Sequence, residues 1–183
     1  MDIVKRHVEQ LGFRAIKFEI SQGGGLHGFH EPFRLDLDNH CAKIFHYLAD
    51  YPGFVITVDY GDFTQTSYQP EAIVNLAHQY PQMDFVVCHL SFPNADHLNR
   101  LSSVLQQFAS LKNIYVDISA IQDIDGETSA DFPYPRCQKT VRVAKDILGA
   151  RRIIWGTDSP WSATFNTYHQ LATWLEHTDI FDE

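Results

Sequence analysis

Residues 84–121 read DFVVCHLSFPNADHLNRLSSVLQQFASLKNIYVDISAI, and their pattern decides the fold. DFVVC (84–88) is a short apolar, β-rich run suited to a buried strand. In the next segment Leu98, Leu101, Leu105 and Phe108 recur at helical spacing and form one apolar stripe, with Asn94 placed to cap it. NIYVDI (113–118) is again a strand. Strand, amphipathic helix and strand in this order predict a parallel βαβ unit with a right-handed crossover.

The same alternation extends in both directions. Upstream, FRAIKFEI (13–20) reads as a strand after a helix-like opening run (1–10) that contains His7. Residues 36–50 carry Cys41, Ile44, Phe45 and Leu48 at helical spacing, and Pro52-Gly53 ends that helix. FVITV (54–58) is β-branched enough for a strand buried on both faces. Residues 70–80 form a helix with Pro70 in its first turn, where the missing N–H does no harm. Downstream, a long polar loop runs to Pro135 and a helix spans 137–148, ended by Gly149. RIIW (152–155) is a fifth strand, and residues 167–175 a last helix. Five strands alternating with helices suit either an open doubly wound sheet or a closed barrel. The open sheet would need a phosphate-binding loop, and Gly23-Gly24-Gly25 has neither the GxxxxGK[ST] nor the GxGxxG order.

Composition narrows the function. The chain has 183 residues, 44% of them hydrophobic, which suits one domain spanning 1–183 with a sizeable core. A complete eightfold barrel takes about 250 residues. Fourteen basic and 23 acidic residues give a formal charge of −9, with no basic stripe, so nucleic acid is not an expected partner. No apolar run is long enough for a membrane span, so no membrane is expected. Cys41, Cys88 and Cys137 are widely spaced, with no CxxC pair and no leader pattern at the start, which together predict a cytoplasmic protein.

In parallel α/β folds the functional groups collect after the C-terminal ends of strands. Those positions hold Lys17 and Glu19, then Asp59 with Asp62, then His89, then Asp117 and Ser119, then Asp158. From Asp59 to His89 is 30 residues, from His89 to Asp117 28, and from Asp117 to Asp158 41, each close to one βα unit. Each residue also has a plainer role open to it. Asp158 could start the turn in GTDSP, Asp59 could cap its loop, Lys17 and Glu19 could form an ion pair, and His89 could be a satisfied core histidine. The loop at 21–32 brings His27, His30 and Glu31 together as a possible metal tract.

The runs FVVCHLSFP (85–93), NIYVDISAI (113–121) and LGARRIIWGTDSPW (148–161) resemble the amidohydrolase-2 family, the aminocarboxymuconate-semialdehyde-decarboxylase-like metal-dependent hydrolases. The resemblance covers roughly residues 12–175 and implies a TIM-type (β/α) barrel of which about five βα units, the fourth to eighth strands, are present. By that resemblance Asp158 is the last-strand aspartate, a metal ligand able to move protons, and His89 the sixth-strand acid/base histidine. Asp59 falls where the family has a fifth-strand metal histidine, a change favouring harder metals. Lys17 and Glu19 are the substrate-binding candidates. The implied cofactor is a divalent metal, zinc first and manganese or magnesium next. The family's first-strand metal pair is expected to lie before this chain begins, leaving two ligands where a catalytic zinc has three. The implied function is metal-dependent hydrolysis or non-oxidative decarboxylation of a small carboxylated molecule. The alternative is a truncated or degenerate barrel that binds a ligand or partner without catalysis. Open strand edges predict a homo-oligomer.

Overall fold

A computed structural model of the protein describes residues 1–22 and 33–182. His27, His30, Glu31 and the glycines 23–25 lie outside the described residues. The strands are β1 (Ala15–Glu19), β2 (Val55–Asp59), β3 (Asp84–Val87), β4 (Ile114–Asp117) and β5 (Ile153–Ile154), in the sheet order β1-β2-β3-β4-β5. The β1–β2, β2–β3 and β4–β5 pairs are parallel. Between them come α2 (Asn39–Leu48), α3 (Pro70–Gln79), α4 (Leu98–Ala109), α5 (Ile121–Ile124) and α6 (Pro135–Leu148), with α1 (Asp2–Lys5) before and α7 (Tyr168–Thr173) after. The expected alternation is therefore present. The chain divides into two compact units, residues 1–87 with 111–115, and residues 88–110 with 116–183.

In the first unit, the side chains alternate along β1 so that Phe18 is buried while Lys17 stays exposed. Phe18 packs on Phe45 of α2 with ring centroids 5.2 Å apart, and Ile56, Val58, Ile73, Leu76 and Phe85 complete that core. Asp38 caps α2 by accepting from the backbone N–H groups of His40 and Cys41, at 2.9 Å each. Pro70 opens α3 as expected. The opening segment winds as α1 followed by a π-helical turn, Arg6–Gln10.

In the second unit, Leu101, Val104, Leu105 and Phe108 form the buried stripe of α4. Asn94 does not cap α4. The N-cap is His97, and the Asn94 side chain instead accepts from Asp96 N at 2.8 Å, because the chain turns once more before the helix starts. The stretch expected to be one long loop contains α5 and a 3₁₀ turn, Ser129–Asp131. The α6 helix gains its N-terminal partner from a distance: Glu127 accepts from Arg136 N at 2.8 Å and from Cys137 N at 2.9 Å. Gly149 ends it at φ 81°, where a side chain would be strained. The β5 strand is only two residues long, shorter than the RIIW run suggested.

Candidate functional site

The third strand ends at Val87, and the chain then turns sharply through Cys88–Ser91. His89, Leu90, Ser91 and Phe92 have φ values of 54°, 50°, 59° and 53°, four successive side-chain-bearing residues in the left-handed region. Such a conformation costs about 1–2 kcal/mol per residue, so the surroundings must impose it. Leu90 is fully buried, and His89 and Ser91 nearly so. His89 N donates to Asp117 Oδ1 at 3.1 Å and Phe92 N to His89 O at 2.8 Å. Strain of this kind is retained where a side chain has to be aimed.

The aimed group is the His89 imidazole. Its Nδ1 lies 2.9 Å from the Ser119 carbonyl oxygen, 3.0 Å from Ser119 Oγ and 3.9 Å from Asp117 Oδ1. A carbonyl oxygen can only accept, so Nδ1 carries a proton, and in the neutral ring the lone pair lies on Nε2. Ser119 Oγ in turn donates to Asp117 Oδ1 at 2.6 Å, and Ser119 N donates to the same oxygen at 3.0 Å. Asp117 and Ser119 stand two residues apart at the end of β4, which is why one loop can grip both the ring and its backbone. Phe92 meets the ring edge-on at 5.5 Å. Tautomer, orientation and a nearby negative charge are thus all set by one strand end.

Asp158 follows β5 at φ 53°, and its carbonyl accepts from Ser162 N at 3.2 Å, so it does form the turn that GTDSP suggested. It also sits close enough to influence Asp123, a residue that sequence reasoning passed over. Burial pushes the Asp123 carboxyl above the ordinary carboxylate range; Asp158 pushes the same way, while hydrogen bonding and His89 pull it down. Asp123 Oδ1 accepts from Asn166 Nδ2 at 2.7 Å, and Asn166 Oδ1 accepts from Tyr134 Oη at 2.9 Å. A cavity of about 230 Å³ opens beside it, lined by Asp123, Gly126, Glu127, Thr128 and Phe165. Asp123 lies on the four-residue α5, too short for a helical period to mark in sequence.

The remaining candidates belong to the first unit. Asp59 ends β2, is almost buried, and its Oδ1 accepts from Gly61 N at 3.0 Å, a loop-capping contact. Nearby Asp62 accepts from Thr64 N at 2.7 Å. Lys17 Nζ is 3.4 Å from Glu19 Oε2, and Glu19 Oε1 also accepts from Ser21 Oγ. So the structure brings His89, Asp117 and Ser119 into contact, with Asp123 and Asp158 in electrostatic reach; Lys17 and Glu19 pair with each other. Among the described residues, no group of three or more His, Cys, Asp or Glu side chains is disposed to hold a metal ion. A catalytic zinc takes three protein ligands, so the described residues do not by themselves make a complete site for one.

A family model described as amidohydrolase matches residues 1–179. The chain belongs to the amidohydrolase family. That family is metal-dependent. Three solved structures illustrate the fold of this chain. An amidohydrolase from Burkholderia multivorans with bound HEPES is 16% identical, with a TM-score of 0.67 over 96% of this chain and 61% of its own. A proposed 2-pyrone-4,6-dicarboxylic acid hydrolase from Pseudomonas putida is 15% identical, TM-score 0.68, over 97% and 60%. The 2,6-dihydroxybenzoate decarboxylase from Rhizobium is 14% identical, TM-score 0.63, over 99% and 61%. Another crystal form of the Burkholderia protein holds zinc. The amidohydrolase chain spans about 60% of the length of these proteins, and its five βα units correspond to part of a TIM-type barrel. No curated protein matches it significantly. No helix among the described residues is long and apolar enough to cross a membrane.

Proposed function

We propose that this amidohydrolase chain acts on a small carboxylated molecule, by hydrolysis or by non-oxidative decarboxylation, with His89 as the proton-transfer group. The observation that carries the reading is the 2.9 Å approach of Nδ1 to the Ser119 carbonyl, which leaves Nε2 as the basic atom. In hydrolysis Nε2 takes a proton from the attacking water and returns it to the leaving group. In decarboxylation the protonated ring delivers its Nε2 proton to the carbon that loses CO₂. In both reactions the imidazolium, formed in the first and consumed in the second, has Asp117 at 3.9 Å to stabilise it, a positioning role for the carboxylate. Asp123, whose carboxyl is pushed up first by burial and then by Asp158, lies within electrostatic reach of the ring. Hydrolase and decarboxylase relatives share this fold, which supports both reaction classes alike.

The test is turnover of a panel of aryl carboxylates and carboxylated lactones, with zinc or manganese supplied, by wild type and H89N. The reading expects activity in the panel that falls by about 100-fold or more in H89N, the usual worth of a positioned acid/base group. Turnover unchanged in H89N would remove His89 from the chemistry.

A further inference from the structure

Of the six glycines among the described residues, five take a positive φ, where a side chain would be strained. Gly156 is the exception. Its φ lies outside the left-handed region, so that angle does not demand glycine. The space around it does. A Cβ on Gly156 would lie 3.1 Å from Ser119 Cβ and 3.8 Å from Ser119 Oγ. Carbon atoms in contact keep about 3.5–4.0 Å. Among the described residues, and its own chain neighbours aside, Ser119 is all that such a Cβ would meet within 4 Å. The register explains the approach. Asp117 pairs with Ile154, and Ile118 N donates to Ile154 O at 3.0 Å. Ser119 and Gly156 therefore stand side by side, each two residues beyond the last pair of the ladder.

We propose that Gly156 is a positioning residue for His89: its missing Cβ leaves Ser119 the place from which the Ser119 carbonyl holds Nδ1. This role rests on the reading of His89 as the proton-transfer group. Ser119 is buried and held at three points. Its N and Oγ donate to Asp117 Oδ1 at 3.0 and 2.6 Å, and its O lies 2.9 Å from His89 Nδ1. A methyl group at position 156 presses on Ser119 Cβ, the carbon that carries Oγ, and Ser119 cannot yield without moving one of these bonds. The Nδ1 bond has little to give, because a separation of about 3.6 Å is no longer a hydrogen bond. Once it lengthens, Nδ1 loses the acceptor that selects its tautomer, and the ring loses its orientation. Gly156 thus acts on the imidazole only through Ser119. The contact is with Cβ rather than Oγ, so removing the hydroxyl alone does not relieve it.

A double-substitution series on the full chain tests this, read by the long-range ¹H–¹⁵N spectrum of the His89 ring and by turnover of the carboxylate and lactone panel. G156A should pull the Nδ1 and Nε2 shifts toward each other and lower kcat by about tenfold, with KM little changed. S119G keeps the residue-119 carbonyl and removes the Cβ, so in that background G156A should change neither the shifts nor kcat. S119A/G156A should stay as perturbed as G156A. A purely structural glycine would lower stability in G156A and leave the ring shifts of wild type in place, which would overturn the proposal. So would a G156A effect of equal size in the S119G background, or a G156A that fails to fold and is not restored by S119G. A G156A that fails to fold but is restored by S119G, with the Nδ1–H signature present, supports it. The spectrum needs no turnover, so it judges Gly156 separately from His89, whose own role fails if H89N retains activity.

Discussion

Replacing Asp117 by alanine is the sharpest test of how the His89 turn is held. One oxygen, Asp117 Oδ1, accepts from His89 N at 3.1 Å, Ser119 N at 3.0 Å and Ser119 Oγ at 2.6 Å. The side chain is only 15% exposed, so water replaces little of what is lost. Hydrogen bonds to a charged acceptor contribute about 1.5–3 kcal/mol each, and a buried N–H left without a partner costs about 1–3 kcal/mol. Three bonds on one oxygen are not additive, so the sum of their low ends, about 4.5 kcal/mol, is a ceiling, and D117A should lose about 3–4 kcal/mol. D117N keeps an accepting oxygen and loses only the charge, and should cost about 1–2 kcal/mol. Urea unfolding followed by far-ultraviolet circular dichroism at neutral pH measures both. D117A within about 1 kcal/mol of wild type would mean that the left-handed turn at residues 89–92 is held by its buried side chains alone, and the argument from Asp117 would fail.

Three further outcomes follow from the same geometry. Asp123 has its folded pKa raised, so its contribution favours folding while it is protonated and is lost as pH rises through that pKa. D123N, neutral throughout and still able to accept from Asn166, should therefore gain in Tm over wild type as pH climbs above the ordinary carboxylate range; a Tm difference independent of pH would contradict this. Glu127 satisfies two N–H groups at the start of α6, so E127A should lose about 1–3 kcal/mol, read by urea midpoint. Burial and the neighbouring Asp38 push the Cys41 thiol up to about 12, and burial with Glu127 raises Cys137. Native protein should accordingly react slowly with a disulfide reagent at mildly alkaline pH, and three thiols should titrate rapidly only after denaturation.

The long periodic segments were legible because burial on one face leaves a repeat that composition alone does not produce. Leu101, Leu105 and Phe108 mark α4 this way, and the β-branched FVITV marks β2. The short elements were not legible. The α5 helix has four residues and β5 two, below one period of either pattern. Asn94 misled because a good capping residue three positions early serves an Asx turn equally well. The site was legible only as positions. His89, Asp117 and Ser119 stood at strand ends, but nothing local announced a left-handed turn at His89: no glycine occupies residues 89–92, and tertiary contacts impose the conformation. Asp123 went unread since its importance comes from Asn166 and Asp158, 43 and 35 residues away in sequence. Lys17 and Glu19 were rightly placed on one side of a strand, and their ion pair follows from that spacing.

The central claim is that His89 is held as the Nδ1–H tautomer, with Nε2 as the atom that moves the proton. A long-range ¹H–¹⁵N spectrum of the imidazole, recorded above its titration, reads the tautomer directly, with H89N assigning the signal. The structure predicts a pyrrole-like Nδ1 shift and a pyridine-like Nε2 shift, and averaged shifts in D117A, which frees the residue-119 backbone that presents the carbonyl. A pyrrole-like Nε2 in the wild type would place the proton on the wrong nitrogen and contradict the account.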